Sequence, residues 1–342
     1  MIGVIDKAFG KHGAAFSGIY ASLCLVLALV MGGMLQARSV GSLMCDVVGT
    51  ERFIVAVTFA ILVALGVNGG VEKIQNLTSK ILPVTTVVYI FMSSFAIFSN
   101  FSRIGEVVCE VVSSAFSLRS IGGGVGSFAL LQAMKEGFLG GILSNEAGAG
   151  TSSMGHARCE ETTPCEKGFF GAFEVLFDTA FICMLTGFAI LLNVPDVSEY
   201  NSSMMLVSDA MTGVFGRGAI LPLAVSVFFF AYSTVICWYY YGRVATGYLF
   251  GKRGEKIFPP VYLSSVIIGV FSRDILSARL ADTVLFAMTL PTLFCIIKSS
   301  DRIVALSERE GFIKIKADVC ESVSRRRRKQ AFPKFRTPRG KR

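Results

Sequence analysis

The chain has 342 residues, 53% of them hydrophobic and only 17% charged, with a mean hydropathy of +0.61. That much apolar surface exceeds what one soluble core of this length hides, which excludes a water-soluble globular enzyme or binding module and makes the bilayer the main solvent. The formal charge of +9 is not spread evenly: 14 of the 33 Lys and Arg and five of the 24 Asp and Glu lie from Ser299 onward, so the preceding body carries 19 of each and is neutral.

Met1 to Lys11 is a mixed polar stretch leading into an apolar run too long for a signal-peptide core, so no cleavable signal is expected and the first long helix acts as its own insertion signal. Stretches long enough to cross about 30 Å of hydrocarbon fall near residues 14–37, 52–69, 82–100, 120–157, 168–193, 218–249, 257–273 and 276–298. An all-α polytopic membrane protein with about eight spanning helices follows, its two ends on one side. Between the second and third spans, Val71 to Ile81 repeats apolar residues every three or four positions. This fits a helix lying on the membrane surface, with an ordinary polar loop as the alternative.

Loops on the tail side carry Lys7, Lys11, Lys73, Lys80, Arg158, Lys167, Arg243, Lys252, Arg253 and Lys256, against six arginines opposite, and the tail adds 14 more basic residues. The positive-inside bias therefore puts both termini in the cytoplasm, with the cytoplasmic (inner) membrane as the location. The chain divides into a membrane domain, 1–298, and a basic cytoplasmic tail, 299–342, expected to be disordered and held near anionic headgroups. No folded reader module accompanies the run Arg325 to Lys329, so no nucleic-acid partner is expected. The nine cysteines are scattered, several inside apolar runs (Cys24, Cys183, Cys237, Cys295), and form neither a disulfide framework nor a metal template.

The fourth span departs from the others. Ser120 to Ala157 is too long for one straight crossing and is interrupted by Gly137, Gly140, Gly141, Gly148 and Gly150, with Ser144, Asn145 and Glu146 in the middle. Unpaired backbone is costly in hydrocarbon, so irregular chain at membrane depth survives where it lines a cavity or a ligand. Two half-helices meeting near Ser144 fit this composition, the arrangement by which secondary transporters hold solutes. Asn145 supplies donors and an acceptor and Ser144 a cap or ligand. Glu146 is either a carboxylate tying neighbouring backbone together or a direct ligand. Only His12 and His156 are available as imidazole bases and no nucleophile motif surrounds Ser144, which argues against an intramembrane enzyme.

Gly141-Ile-Leu-Ser-Asn-Glu-Ala-Gly-Ala-Gly-Thr151 closely resembles the signature of the alanine or glycine:cation symporter family, placed there in the broken sixth core helix. Gly32-Gly-Met-Leu-Gln-Ala-Arg-Ser39 is similar to the family's third core helix, with Gly33 and Arg38 at asparagine positions. Phe230 to Gly242 is similar to the eighth. Leu280-Ala-Asp282 with Pro291-Thr292 is similar to the tenth, with Thr292 where Asn is usual.

The resemblance implies a LeuT-type fold of five-plus-five inverted repeats and sodium-coupled symport of a small neutral amino acid, alanine or glycine, with H⁺ as the alternative coupling ion and no other cofactor. It implies solute contacts from Gln36, Ser144, Asn145, Glu146 and Gly148, and ion binding by Ser233 and Thr234. Adjacent hydroxyl and carbonyl oxygens suit a hard monovalent ion; back-bonding to the preceding helical turn is the alternative use of those two hydroxyls. Trp238 is expected to pack or to anchor at the interface. The resemblance begins at the third core helix, so the fold is incomplete and the opposing half of the site has no counterpart here. Three readings stay open: a separate N-terminal polypeptide supplies the missing helices, the start lies upstream, or the chain is a transport-inactive remnant.

Overall fold

The computed structural model describes residues 1–68, 70–116, 148–156, 163–197, 202–272 and 275–309, with isolated positions between them. Every extended element described is helical. The first is the short α1, Ile2–Phe9, which folds back on α2, Gly13–Leu27, through Gly10 at φ 59°; the Ser17 hydroxyl donates to the Ile2 carbonyl, 2.9 Å. The helix then widens to a π-helical turn at Ala28–Leu35, returns to α3, Gln36–Gly41, and widens again at Ser42–Val47. π segments insert an extra residue per turn and re-aim the side chains beyond them.

α4, Arg52–Val67, leads to α5, Gly70–Ser99. The amphipathic stretch from Val71 is thus helical and runs without a break into the membrane-crossing part, across Pro83. Val84, Val87, Phe91, Phe95 and Phe98 form an exposed stripe along α5, and Phe53, Ile54, Ile61 and Leu65 another along α4. Large apolar side chains that face outward at helical spacing, with other apolar residues buried behind them, mark lipid-facing surfaces.

After α6, Ile104–Phe116, and the short α7, Ser152–His156, comes α8, Pro164–Val175. Its start is fixed chemically: Thr163 Oγ1 accepts from the Glu166 amide and Glu166 Oε2 accepts from the Thr163 amide, with Pro164 in the first turn. A π segment, Leu176–Cys183, joins it to α9, Met184–Asn193. There Asn193 donates to the Ala96 carbonyl at 3.2 Å and accepts from Asn100 at 2.7 Å, tying the ends of α9 and α5.

α10, Ser203–Phe215, precedes α11, Ile220–Phe271, and α12, Ile275–Arg309, is the last element described, continuing past residue 298. α11 is two limbs, because Gly251 sits at φ 61°, ψ −153°. Tyr262 donates to the Val235 carbonyl at 2.6 Å, Tyr239 lies against Phe258, and Arg243 lies 3.6 Å from Glu255, so the limbs form an antiparallel hairpin. Only glycine takes that backbone without strain. Gly251→Ala is expected to cost about 1–3 kcal/mol, read as a lower melting temperature in detergent with the helical circular dichroism retained.

By length and apolarity, five helical stretches among the described residues are sufficient to cross a membrane: Ile2–Val47, Thr78–Ser99, Pro164–Asn193, Ser203–Phe271 and Ala278–Arg309. The shorter Arg52–Val67 is apolar as well, and the fourth stretch contains the expected span 218–249 and all but the last two residues of 257–273, folded about Gly251. Most of the expected span 120–157 lies outside the described residues, as does the basic stretch 310–342. The chain is a multi-pass membrane protein whose described secondary structure is all helical. One core unites α1, α2, α4, both limbs of α11 and α12; a second lies among α5, α9, α10 and the start of α11.

Candidate functional site

Of the residues expected at the helix break, Ser144, Asn145 and Glu146 lie outside the described residues, and Gly148 is where description resumes. Gly148 to Gly150 form a turn, Gly150 at φ 77°, and α7 starts at Ser152. The backbone is therefore not helical at the carboxyl end of the signature. The Ser153 hydroxyl donates to the Gly150 carbonyl at 2.6 Å and the Met154 amide to the Thr151 carbonyl at 2.8 Å. Ala149 and Thr151 are fully buried.

Two distant helices hold this turn. The Tyr20 hydroxyl, from α2, donates to the Ala149 carbonyl at 2.6 Å, and Thr292 Oγ1, from α12, reaches the same oxygen at 3.3 Å. A Cβ on Gly148 would stand 2.8 Å from Thr289 Cγ2, and one on Gly150 would stand 2.9 Å from Met1 Cγ and 3.2 Å from the Tyr20 and Thr292 oxygens. These glycines admit the close approach that lets α2 and α12 grip the backbone. Tyr20 carries no sequence signal, since a tyrosine in an apolar run reads as ordinary core. Thr292 is visible only as a departure at an asparagine position.

The second group lies on the seam between the π segment of residues 28–35 and the first limb of α11. A Cβ on Gly242 would stand 2.8 Å from Ala28 Cβ, and one on Gly32 would overlap Trp238. Extending that antiparallel register by one turn brings Gln36 level with Thr234. Gln36 is partly buried. Trp238, 1% exposed, is packed into the core and is not an interfacial anchor. Gly33 faces Ser265 on the second limb so closely that a Cβ would overlap its hydroxyl, which gives the departure from asparagine a steric reason.

The two adjacent hydroxyls behave differently. Thr234 Oγ1 donates to the Phe230 carbonyl, one turn back, at 3.0 Å. Ser233 Oγ is buried and has no hydrogen-bond partner among the described residues. A buried hydroxyl left unpaired carries a desolvation cost of about 1–3 kcal/mol. An oxygen held this way is the donor chemistry a hard monovalent cation takes, and Thr234 keeps its lone pairs available beside it. Ser226, seven residues earlier on the same face, shares the property. Extended by one turn, the register set by those glycine contacts puts Gln36 at the level of Ser233 and Thr234. The fold does not bring Gly148 there: the Tyr20 level, where the turn is gripped, lies about 24 Å from Gln36 along the helix.

Comparison with known proteins agrees with the signature. A family model described as the sodium:alanine symporter family matches residues 3–311. An uncharacterized transporter of Bacillus subtilis, YflA, is 28% identical over 291 residues, 84% of this chain and 62% of that protein. The sodium/alanine symporter AgcS of Methanococcus maripaludis is 27% identical over 322 residues, 92% of this chain and 68% of that protein. The probable sodium/glutamine symporter GlnT of Bacillus subtilis is 29% identical over 296 residues, 85% and 60% respectively. The chain spans about three-fifths of the length of most curated relatives it matches. With a match over nearly all its helical body, this chain belongs to the sodium:alanine symporter family.

Proposed function

We propose that this chain acts in sodium-coupled symport of a small neutral amino acid, alanine or glycine, across the cytoplasmic membrane, with both termini in the cytoplasm and a LeuT-type arrangement of its helices. On this reading the solute is held at the broken helix of residues 140–151, framed by Ser144, Asn145, Glu146 and Gly148; Gln36, about 24 Å along the helix from the turn at Gly148, does not share the Gly148 contact. Na⁺ takes the oxygens of Ser233 and Thr234.

The observation that carries the reading is the buried Ser233 hydroxyl, without a hydrogen-bond partner among the described residues, on the helix limb whose seam with residues 28–35 is closed by glycines. In a membrane interior such polar groups are costly and mark ion and solute paths. The family match supplies the class of cargo, and alanine and glutamine stand in the names of relatives.

The test is uptake of radiolabelled alanine, glycine and glutamine into proteoliposomes carrying the full chain, with an inward Na⁺ gradient, an inward H⁺ gradient, or neither. Uptake of alanine or glycine above glutamine, driven by Na⁺ alone, is expected. Drive by H⁺ alone would reassign the coupling ion, and the absence of gradient-driven uptake would refute the proposal.

A further inference from the structure

The Ala149 carbonyl lies in the turn at the carboxyl end of the signature, and a carbonyl oxygen has two lone pairs to offer. In this fold both are addressed by buried hydroxyls from helices far apart in sequence. Tyr20 and Thr292 are 0% and 2% exposed, and their oxygens lie 2.6 and 3.3 Å from the acceptor.

The two donors are unequal. A phenol has one proton, and Tyr20 directs it at Ala149. Thr292 also has a single proton, which it shares between Ala149 and the Met288 carbonyl of its own helix at 3.0 Å. The steric setting points the same way, because the space beside Gly150 is filled by those same two oxygens and by Met1. A turn held in this manner cannot rotate its peptide planes, so the chain entering it from the signature leaves from a fixed point.

We propose that Tyr20 and Thr292 are positioning residues for the solute site: they saturate the Ala149 carbonyl, which takes it out of the set of oxygens open to cation or solute, and they fix the turn at the carboxyl end of the signature. The inference rests on the symport reading given above, and neither side chain touches the solute. Preorganisation of this kind lowers the ordering cost on binding, so its loss weakens affinity and leaves the chemistry of the contacts unchanged. Tyr20, with the shorter bond, contributes more than Thr292.

The experiment uses the full chain, purified in detergent, with two measurements. Hydrogen–deuterium exchange of the peptide covering Gly148 to His156 reads the clamp without any solute. Alanine affinity in saturating Na⁺ reads its consequence. Tyr20→Phe, which deletes one oxygen and keeps the ring, is expected to speed exchange in that peptide and to weaken alanine binding by about fivefold. Thr292→Val does the same to about twofold, and Thr292→Ser restores wild-type behaviour.

Exchange in the 148–156 peptide that is unchanged in Tyr20→Phe overturns the clamp. Faster exchange with wild-type alanine affinity overturns the link to the solute site. Faster exchange throughout the protein shows a general stabilising role and also overturns the proposal. If the wild-type chain binds neither alanine nor glycine, the symport reading fails and the link falls with it, while the exchange result still decides whether the carbonyl is clamped.

Discussion

Gly269→Ala is expected to destabilise the protein strongly, by about 3 kcal/mol, whereas Gly187→Ala, a chemically identical change, is expected to leave it unchanged or stabilise it. Gly269 lies on the second limb of α11, and a Cβ there would overlap the Met34 carbonyl and stand 2.7 Å from Met34 Cα. Backbone cannot turn aside as a flexible side chain does, so the whole limb has to shift from the π segment that leads into Gln36. A Cβ on Gly187, in α9, meets nothing within 4 Å, and replacing an interior helical glycine gains about 0.5–1 kcal/mol. The check is the loss of the monodisperse peak on heating, measured for both variants in one detergent. If the two shift in the same direction, the seam between residues 28–35 and α11 is not packed as described.

The same seam has a functional consequence. Gly32, Gly33, Gly41 and Gly269 sit where the helix carrying Gln36 meets the two limbs of α11, and side chains at these positions would collide with Trp238, Ser265, Val270 and Met34. Without directional attraction between apolar helices in lipid, close approach through small residues is what holds them together. A loosened seam would separate Gln36 from the level of Ser233, so folding defects here should also appear as weakened ion dependence.

What the sequence made legible followed from hydrophobic length and from glycine chemistry. The spans near 14–37, 52–69, 82–100 and 168–193 coincide with helices of the structure, since nothing but an apolar helix satisfies its own backbone over that distance. The hairpin of α11 was readable as two spans because Lys252, Arg253 and Lys256 interrupt the apolar run at Gly251. Less was visible of the site. The widening to π geometry at Ala28–Leu35 and Ser42–Val47 leaves no mark in the periodicity, yet it shifts the register of the helix that carries Gln36. Tyr20 and Thr292 meet at Ala149 across 129 and 143 residues of chain, a convergence no local pattern encodes. The difference between Ser233 and Thr234 was open for the same reason: adjacent hydroxyls on one helix look alike until their neighbours are known.

Ser233→Ala is expected to raise the half-saturating Na⁺ concentration at least about tenfold while leaving the Na⁺-free protein as stable as the wild type, or more so. The two signs are opposite because the hydroxyl has no partner to lose among the described residues. Removing it relieves a buried, unsatisfied group, which favours the folded state, and deletes one oxygen from the proposed ion shell, which opposes binding. A purely structural serine would behave otherwise: losing its hydrogen bond would lower stability and leave Na⁺ affinity alone. Thr234→Val is expected to act more mildly, because Thr234 already spends its proton on the Phe230 carbonyl and contributes only lone pairs. The measurement is thermal unfolding of the detergent-solubilised chain across a series of Na⁺ concentrations, with K⁺ or choline holding ionic strength constant. A ligand that binds only the folded state raises the melting temperature in proportion to the logarithm of its concentration over its dissociation constant. For the wild type that rise should be evident, and for Ser233→Ala it should begin only at much higher Na⁺. A variant whose Na⁺-dependent rise matches the wild type would remove Ser233 from the ion site and leave its buried hydroxyl an unexplained cost of the fold.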